Sequence, residues 1–181
     1  MSSISSRLRQ DLVTQFELAA ISAAASVERV PFAAGSLAAA VSRIAIGRVA
    51  IAETLDLPSD LFADLRKLPV IVTDRSKEAL AACDVGITEA FAGVARTGSV
   101  CVAVAHDYSG AISLLARMHI AVMSAEKITE RPGDLFNPNF LDGKGLQRNF
   151  VFVTGPSATA DMGPLVRGVH GPHRLHIIIL E

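Results

Sequence analysis

The stretch VERVPFAAGSLAAAVSRIAIGRVAIAE (Val27–Glu53) decides the fold. VERVPF is short and β-compatible. Gly35-Ser36 then opens the apolar helical run LAAAVSRIAI, with Ser36 placed as an N-cap whose hydroxyl can satisfy an orphan amide. RVAIAE (Arg48–Glu53) is a second β-compatible run. The same rhythm continues downstream. Pro58-Ser59-Asp60 starts a helix through about Lys67, with Asp60 well placed near its N-terminal dipole. PVIVTD (Pro69–Asp74) is continuously apolar, as a strand buried on both faces should be. Ser76-Lys77-Glu78 opens a third short helix to about Ala82. Strands alternating with helices over short loops imply an α/β fold with a Rossmann-like, mostly parallel sheet and right-handed crossovers. Upstream, residues 1–25 form a helix or a loose arm, with Leu8, Leu12, Val13 and Phe16 at near-helical spacing. The α/β domain proper spans 26–181.

The middle of the chain breaks the rhythm. DVGITEAFAGVARTGSVCVAVAH (Asp84–His106) is too rich in Gly, Thr and Val for a helix. It reads as two antiparallel strands, GITEAFAGVA and SVCVAVA, joined by a tight turn at Thr97-Gly98. Ser109–Met118 is a short helix and HIAVMSA (His119–Ala125) a strand. Asn137–Asn149 is rich in turn residues, FVFVTG (Phe150–Gly155) is a strand, and RLHIIIL (Arg174–Leu180) closes the fold.

The 181 residues suit a single domain, and half of them are hydrophobic, with a mean hydropathy of +0.40. A formal charge of −1 with scattered basic residues gives no electrostatic attraction to nucleic acid or to an acidic membrane. Arg43, Arg48, Arg117 and His119 interrupt every long apolar run, so no membrane span is expected. No signal peptide is read at the N-terminus. Cys83 and Cys101 are the two cysteines; they suit buried thiols and no C-x-x-C is present. These features point to a soluble, cytoplasmic protein.

The chemistry concentrates in GPSATADMGPLVRGVHGP (Gly155–Pro172), which holds four glycines and three prolines. A strand ending in Gly155-Pro156 and followed by Ser157, Thr159 and Asp161 would lie at the carboxyl edge of the sheet, where open α/β sheets bind ligands. Backbone amides and the two hydroxyls could receive a small anion there. The same residues also suit helix caps and turns. Gly163-Pro164 would break a helix begun at Thr159, so a short one near Pro164–Arg167, ended by Gly168, is expected. His170 sits between glycines and is a candidate base or a backbone-bonded structural residue. His170, His173 and His176 do not share one strand face, so no metal site is expected. Glu89 and Arg96 could pair across the hairpin or simply face solvent.

Three blocks resemble the LUD-domain family, which includes lactate-utilisation protein C. They are GPSATAD…GVHGP followed by HRLHIIIL, GITEAFAGVARTGSV (Gly86–Val100) and RMHIAVMSAEKI (Arg117–Ile128). The resemblance covers roughly residues 26–181. It implies a fold similar to the ribose-phosphate isomerase, CoA-transferase and formyltetrahydrofolate cyclo-ligase group. It also implies an accessory role in oxidising L-lactate to pyruvate, alongside separate iron–sulfur subunits and with no cofactor in this chain. The residues kept in the family blocks are Thr88, Thr97, Gly98, Gly155, Ser157, Thr159, Asp161, Gly168 and His170, the expected ligand-binding set. Arg96 stands where the family pattern has Glu, Phe91 where an acidic residue is expected, and Ala158 where a basic one is common. An alternative is a stand-alone enzyme of the cyclo-ligase or sugar-phosphate isomerase type, with Asp161 and His170 as its acid–base pair. A third is a binding module for organic acids.

Overall fold

The computed structural model describes residues 2–104, 108–137, 149–161 and 163–181. The chain opens with helix α1 (Ser2–Ser22), strand β1 (Ser26–Val30), helix α2 (Ala34–Ile44) and strand β2 (Val49–Ile51). A 3₁₀ turn (Ser59–Phe62) runs into α3 (Ala63–Arg66), followed by α4 (Lys77–Ala81). Strands β3 (Val85–Glu89), β4 (Ala92–Val94) and β5 (Ser99–Ala103) lead to α5 (Ser109–Leu115) and β6 (Met118–Ser124). Short strands β7 (Ile128–Thr129), β8 (Phe150–Val153), β9 (Ala158–Thr159) and β10 (Val166–Arg167) precede the last strand, β11 (Arg174–Leu180).

The central sheet is parallel throughout, in the order β1-β11-β6-β3-β2. On one face Leu37, Val41, Phe62 and Leu65 of the helical layer pack on Ile87, Ile120, Val122 and Ile178. On the other, Val13, Phe16 and Ala20 of α1, with Val100 and Val102 of β5, pack on Ala121, Met123, Ile177 and Ile179. Both faces are therefore covered, which is why RLHIIIL is almost continuously apolar. A second sheet, ordered β7-β4-β5-β8, lies over the α1 face.

The α/β architecture matches the expectation, and four local readings change. GITEAFAGVA is two strands, not one. The amide of Ala90 bonds Val122 in the central sheet at 2.8 Å, and that of Phe91 bonds Cys101 in the second at 3.0 Å. The chain crosses between sheets at that point, and the antiparallel hairpin is β4–β5 alone. Its turn spans Ala95–Gly98, with Gly98 at φ +65°.

PVIVTD is not a strand. One bridge, Ile71 to Val49, ties it to the sheet edge beyond β2. Ile71 packs on one hydrophobic cluster and Val72 on another, so its apolar residues wedge between layers without extending the ladder. FVFVTG does form a strand, but β8 is the outer strand of the second sheet, antiparallel to β5, and Val151 and Phe152 are each 41% exposed. The expected helix near Pro164–Arg167 is absent; β10 pairs there with β9 in a two-stranded antiparallel ribbon. Pro164 sits in its loop, where a missing N–H costs nothing.

Caps divide similarly. Ser76 caps α4 as read, accepting from the Ala79 amide at 3.2 Å. Ser36 does not cap α2, because the helix begins two residues earlier, at Ala34, and its N-cap Ala33 offers no side-chain acceptor. Asp74 accepts from the Ser76 amide and Asp84 from that of Arg48, as turn residues should. The loop expected at Asn137–Asn149 lies largely outside the described residues. No helix among the described residues is long and apolar enough to cross a membrane.

Candidate functional site

The segment after β8 turns back under α1. Gly155 holds φ +68°, and a Cβ there would stand 2.0 Å from the Ala23 carbonyl oxygen. Only glycine permits both the left-handed backbone and that approach. Beyond it, Ser157 ties two strands of loop together. Its amide donates to Pro172 O at 2.9 Å, its carbonyl accepts from the Gly168 amide at 2.9 Å, and its Oγ accepts from the His170 amide at 3.3 Å. Thr154 Oγ1 lies 2.6 Å from Ser99 Oγ, which in turn lies 2.7 Å from Thr97 Oγ1, a chain of three hydroxyls.

Gly155, Ser157 and His170 face a cavity of about 500 Å³. Its other walls come from α5 (Gly110, Ser113, Leu114), from β8 and from Leu175 at the start of β11. His119, second residue of β6, also lines it. Leu175 and His119 stand at the amino ends of their strands. The glycine-rich segment is thus at the amino end of the central sheet, not the carboxyl edge expected from its sequence. The physical reason is β8: it belongs to the second sheet and runs antiparallel to β5, so its end does not coincide with the ends of the parallel strands.

His119 is fully buried. Its Nε2 lies 2.8 Å from Thr88 Oγ1, and its Nδ1 has no partner among the described residues. Burial lowers its pKa from 6.5 to about 4, so the ring is neutral near neutral pH. That nitrogen is sealed from solvent, so the ring borders the cavity without presenting Nδ1 to it. The lining holds no Lys or Arg among the described residues. Apolar side chains (Val104, Leu114, Val151, Phe152) form most of the wall, and hydroxyls and imidazoles supply the polarity.

The expected ligand-binding residues separate into three groups. Gly155, Ser157 and His170 line the cavity, and Thr88 stands behind it, bonded to His119. Thr97 and Gly98 form the hairpin turn against α1, where a Cβ on Gly98 would meet Ala20 N at 2.1 Å. Thr97 reaches the cavity only through the hydroxyl chain to Thr154. Thr159, Asp161 and Gly168 belong to the β9–β10 ribbon and its flank. Thr159 donates to Asp161 Oδ2 at 2.8 Å, and Gly168 makes room for the His173 ring. Asp161 is exposed and does not line the cavity that His170 lines.

Sequence reasoning passed over His119, Ser113 and Thr154. His119 sits inside an apolar strand block, and its one signal was that a histidine there must be either paired or functional. Glu89 is buried too, but at the opposite end of the sheet. Its carboxylate accepts from the amides of Leu55 (2.6 Å), Asp56 (3.1 Å) and Leu57 (3.0 Å). It therefore holds the loop after β2, rather than pairing with exposed Arg96. Two smaller cavities, 160 and 260 Å³, share Phe32 and Pro58 beside it. Cys83 and Cys101 are free and buried, and burial pushes the Cys101 thiol up to about 12, which makes it inert. No cluster of potential metal ligands occurs among the described residues.

Known proteins place this geometry in a family. Lactate utilization protein C of Bacillus subtilis is 32% identical over 102 residues, 54% of this chain and 42% of that protein. The protein of the same name from Halalkalibacterium halodurans is 31% identical over 112 residues, 60% of this chain and 49% of its own length. The chain thus matches less than half the length of these curated relatives. A crystal structure of a DUF162 family protein from Deinococcus radiodurans superposes with a TM-score of 0.68 at 19% identity, over 96% of this chain and 98% of that one, and shows the shared fold. The LUD domain family model matches residues 33–180, well over half of the chain, and the chain therefore belongs to the LUD domain family.

Proposed function

We propose that this protein is an accessory subunit of L-lactate oxidation that holds a small organic acid while separate iron–sulfur subunits carry the electrons. Oxidising lactate to pyruvate releases two electrons and two protons; the electrons would leave through clusters in the partners. The cavity is the observation that carries this reading: it joins the Gly155–Ser157 loop and His170 to Thr154, Ser113 and the buried His119. The relatives named for lactate utilization support the pathway. The carboxylate would sit at the mouth, beside Ser157 and exposed His170, where water still reaches it.

Deletion in the native cell should abolish or slow growth on L-lactate while leaving growth on pyruvate intact. Affinity purification should recover an iron–sulfur protein. Unchanged growth on lactate, with no such partner, would defeat the proposal.

A further inference from the structure

Side chains of β11 alternate between the two faces of the central sheet. Leu175 borders the cavity, and the next residue, His176, turns to the α2 side with Ile178 and Leu180. β1 is the outermost strand and sets Ser26 in register beside His176, with Glu28 two residues on and so on the same face. Ser26 Oγ lies 2.7 Å from His176 Nδ1. On the far side of the ring, Nε2 lies 3.7 Å from Glu28 Oε2, and the other oxygen of that carboxylate is held by Arg43 of α2. The carboxylate decides the tautomer. A bare lone pair on Nε2 would face a negative charge, whereas an N–H there is attracted to it. Nδ1 is then the acceptor, and the Ser26 hydroxyl donates to it. Ser26 is exposed, while His176 is only 7% exposed. A residue reachable from solvent is thus backed by a sheltered base, itself oriented by a carboxylate. Burial lowers the pKa of His176 against the opposing pull of Glu28, and Arg43 acts in the same direction as burial, so the ring is neutral near pH 7 and able to take a proton.

We propose that Ser26, His176 and Glu28 form a nucleophilic centre that accepts acyl groups from small activated esters and passes them to water. Ser26 Oγ attacks the ester carbonyl carbon, and its proton passes to His176 Nδ1. Glu28 stabilises the imidazolium so formed. The bond from that carbon to the leaving oxygen breaks, and the alcohol departs with the proton. Water, deprotonated by His176, then splits the seryl ester, which releases the acid and returns a proton to Ser26. The centre stands on β1 and β11 and does not depend on the cavity or on the organic-acid reading.

Two measurements on the full chain test it: labelling by a fluorophosphonate probe, read by peptide mass spectrometry, and hydrolysis of p-nitrophenyl acetate. The probe should attach to Ser26, with an oxygen–phosphorus bond formed and fluoride lost. Ser26→Ala should abolish both the adduct and the turnover above background. His176→Asn should slow labelling by at least about a hundredfold. Glu28→Gln, at a partly exposed position that tolerates change, should slow it about tenfold, as roughly one pKa unit of basicity is lost from the ring. Labelling should hold steady above about pH 7 and fall as acid protonates His176, whose facing charges are Glu28 and Arg43. A serine bonded to a histidine for structure alone would show none of these effects. An unlabelled Ser26 in the folded chain, an adduct that survives Ser26→Ala, or a Glu28→Gln variant labelled at the parent rate would overturn the proposal.

Discussion

Glu89 and His119 are both buried on neighbouring strands, β3 and β6, yet they do opposite things. Glu89 stands at the carboxyl end of its strand and has its acceptor capacity taken up by three successive backbone amides. His119 stands at the amino end of its strand with one nitrogen engaged and one without a partner among the described residues. Position on the sheet alone does not distinguish a clamp from a site. Saturation does: a polar group with all its bonds made inside the protein organises the fold, and one left incomplete keeps bonding capacity to spare.

Glu89→Leu should break the comparison most severely. It leaves three amides of the β2 loop without their acceptor and should lower stability by about 3 kcal/mol, read from the denaturant midpoint. Glu89→Gln, which keeps an acceptor, should lose less. A comparable effect is expected from acid acting on His119. Its folded pKa is lowered from 6.5 to about 4, so the unfolded chain takes up the proton first. The stability tied to its neutral ring is complete above 6.5 and is lost as pH falls toward 4, by up to about 3 kcal/mol. His119→Phe should remove that part of the acid loss. Glu89 has the opposite sign. Desolvation raises its pKa above the ordinary 4.5 despite the amide bonds, so its contribution weakens as pH rises through that raised value. Stability-against-pH curves of the two variants should therefore deviate from the parent in opposite directions.

Gly98→Ala sharpens the comparison by disturbing the α1 wall between the hairpin and the helix. With φ +65° and Ala20 N at 2.1 Å from any Cβ, it should lower stability by about 2 kcal/mol in the same assay. Arg96→Glu, two residues away and exposed, restores the charge of the family pattern and should change stability by less than about 0.5 kcal/mol. A larger change would mean that the turn is coupled to the buried groups.

The parallel sheet was legible because burial on both faces leaves a direct trace, the largely apolar runs of β6 and β11. PVIVTD carries the same trace and is not a strand, because a wedge between two clusters needs apolar residues as much as a strand does. Gly155, Ser157 and His170 were legible through their unusual residue types. His119 was not, since nothing within a strand reveals which neighbour its ring will meet. Thr88 and His119 are 31 positions apart and meet only because β3 and β6 pair.

The sequence by itself determined the α/β class and the glycine-bearing turns, because periodicity, apolar runs and backbone constraint are local properties, and its motif blocks carried the resemblance to the family. Only the tertiary structure decided that β8 belongs to a second sheet and that the glycine-rich segment closes a cavity at the amino end of the first. Those facts depend on strand pairing across long stretches of chain, where partners are selected by packing rather than by neighbouring residues.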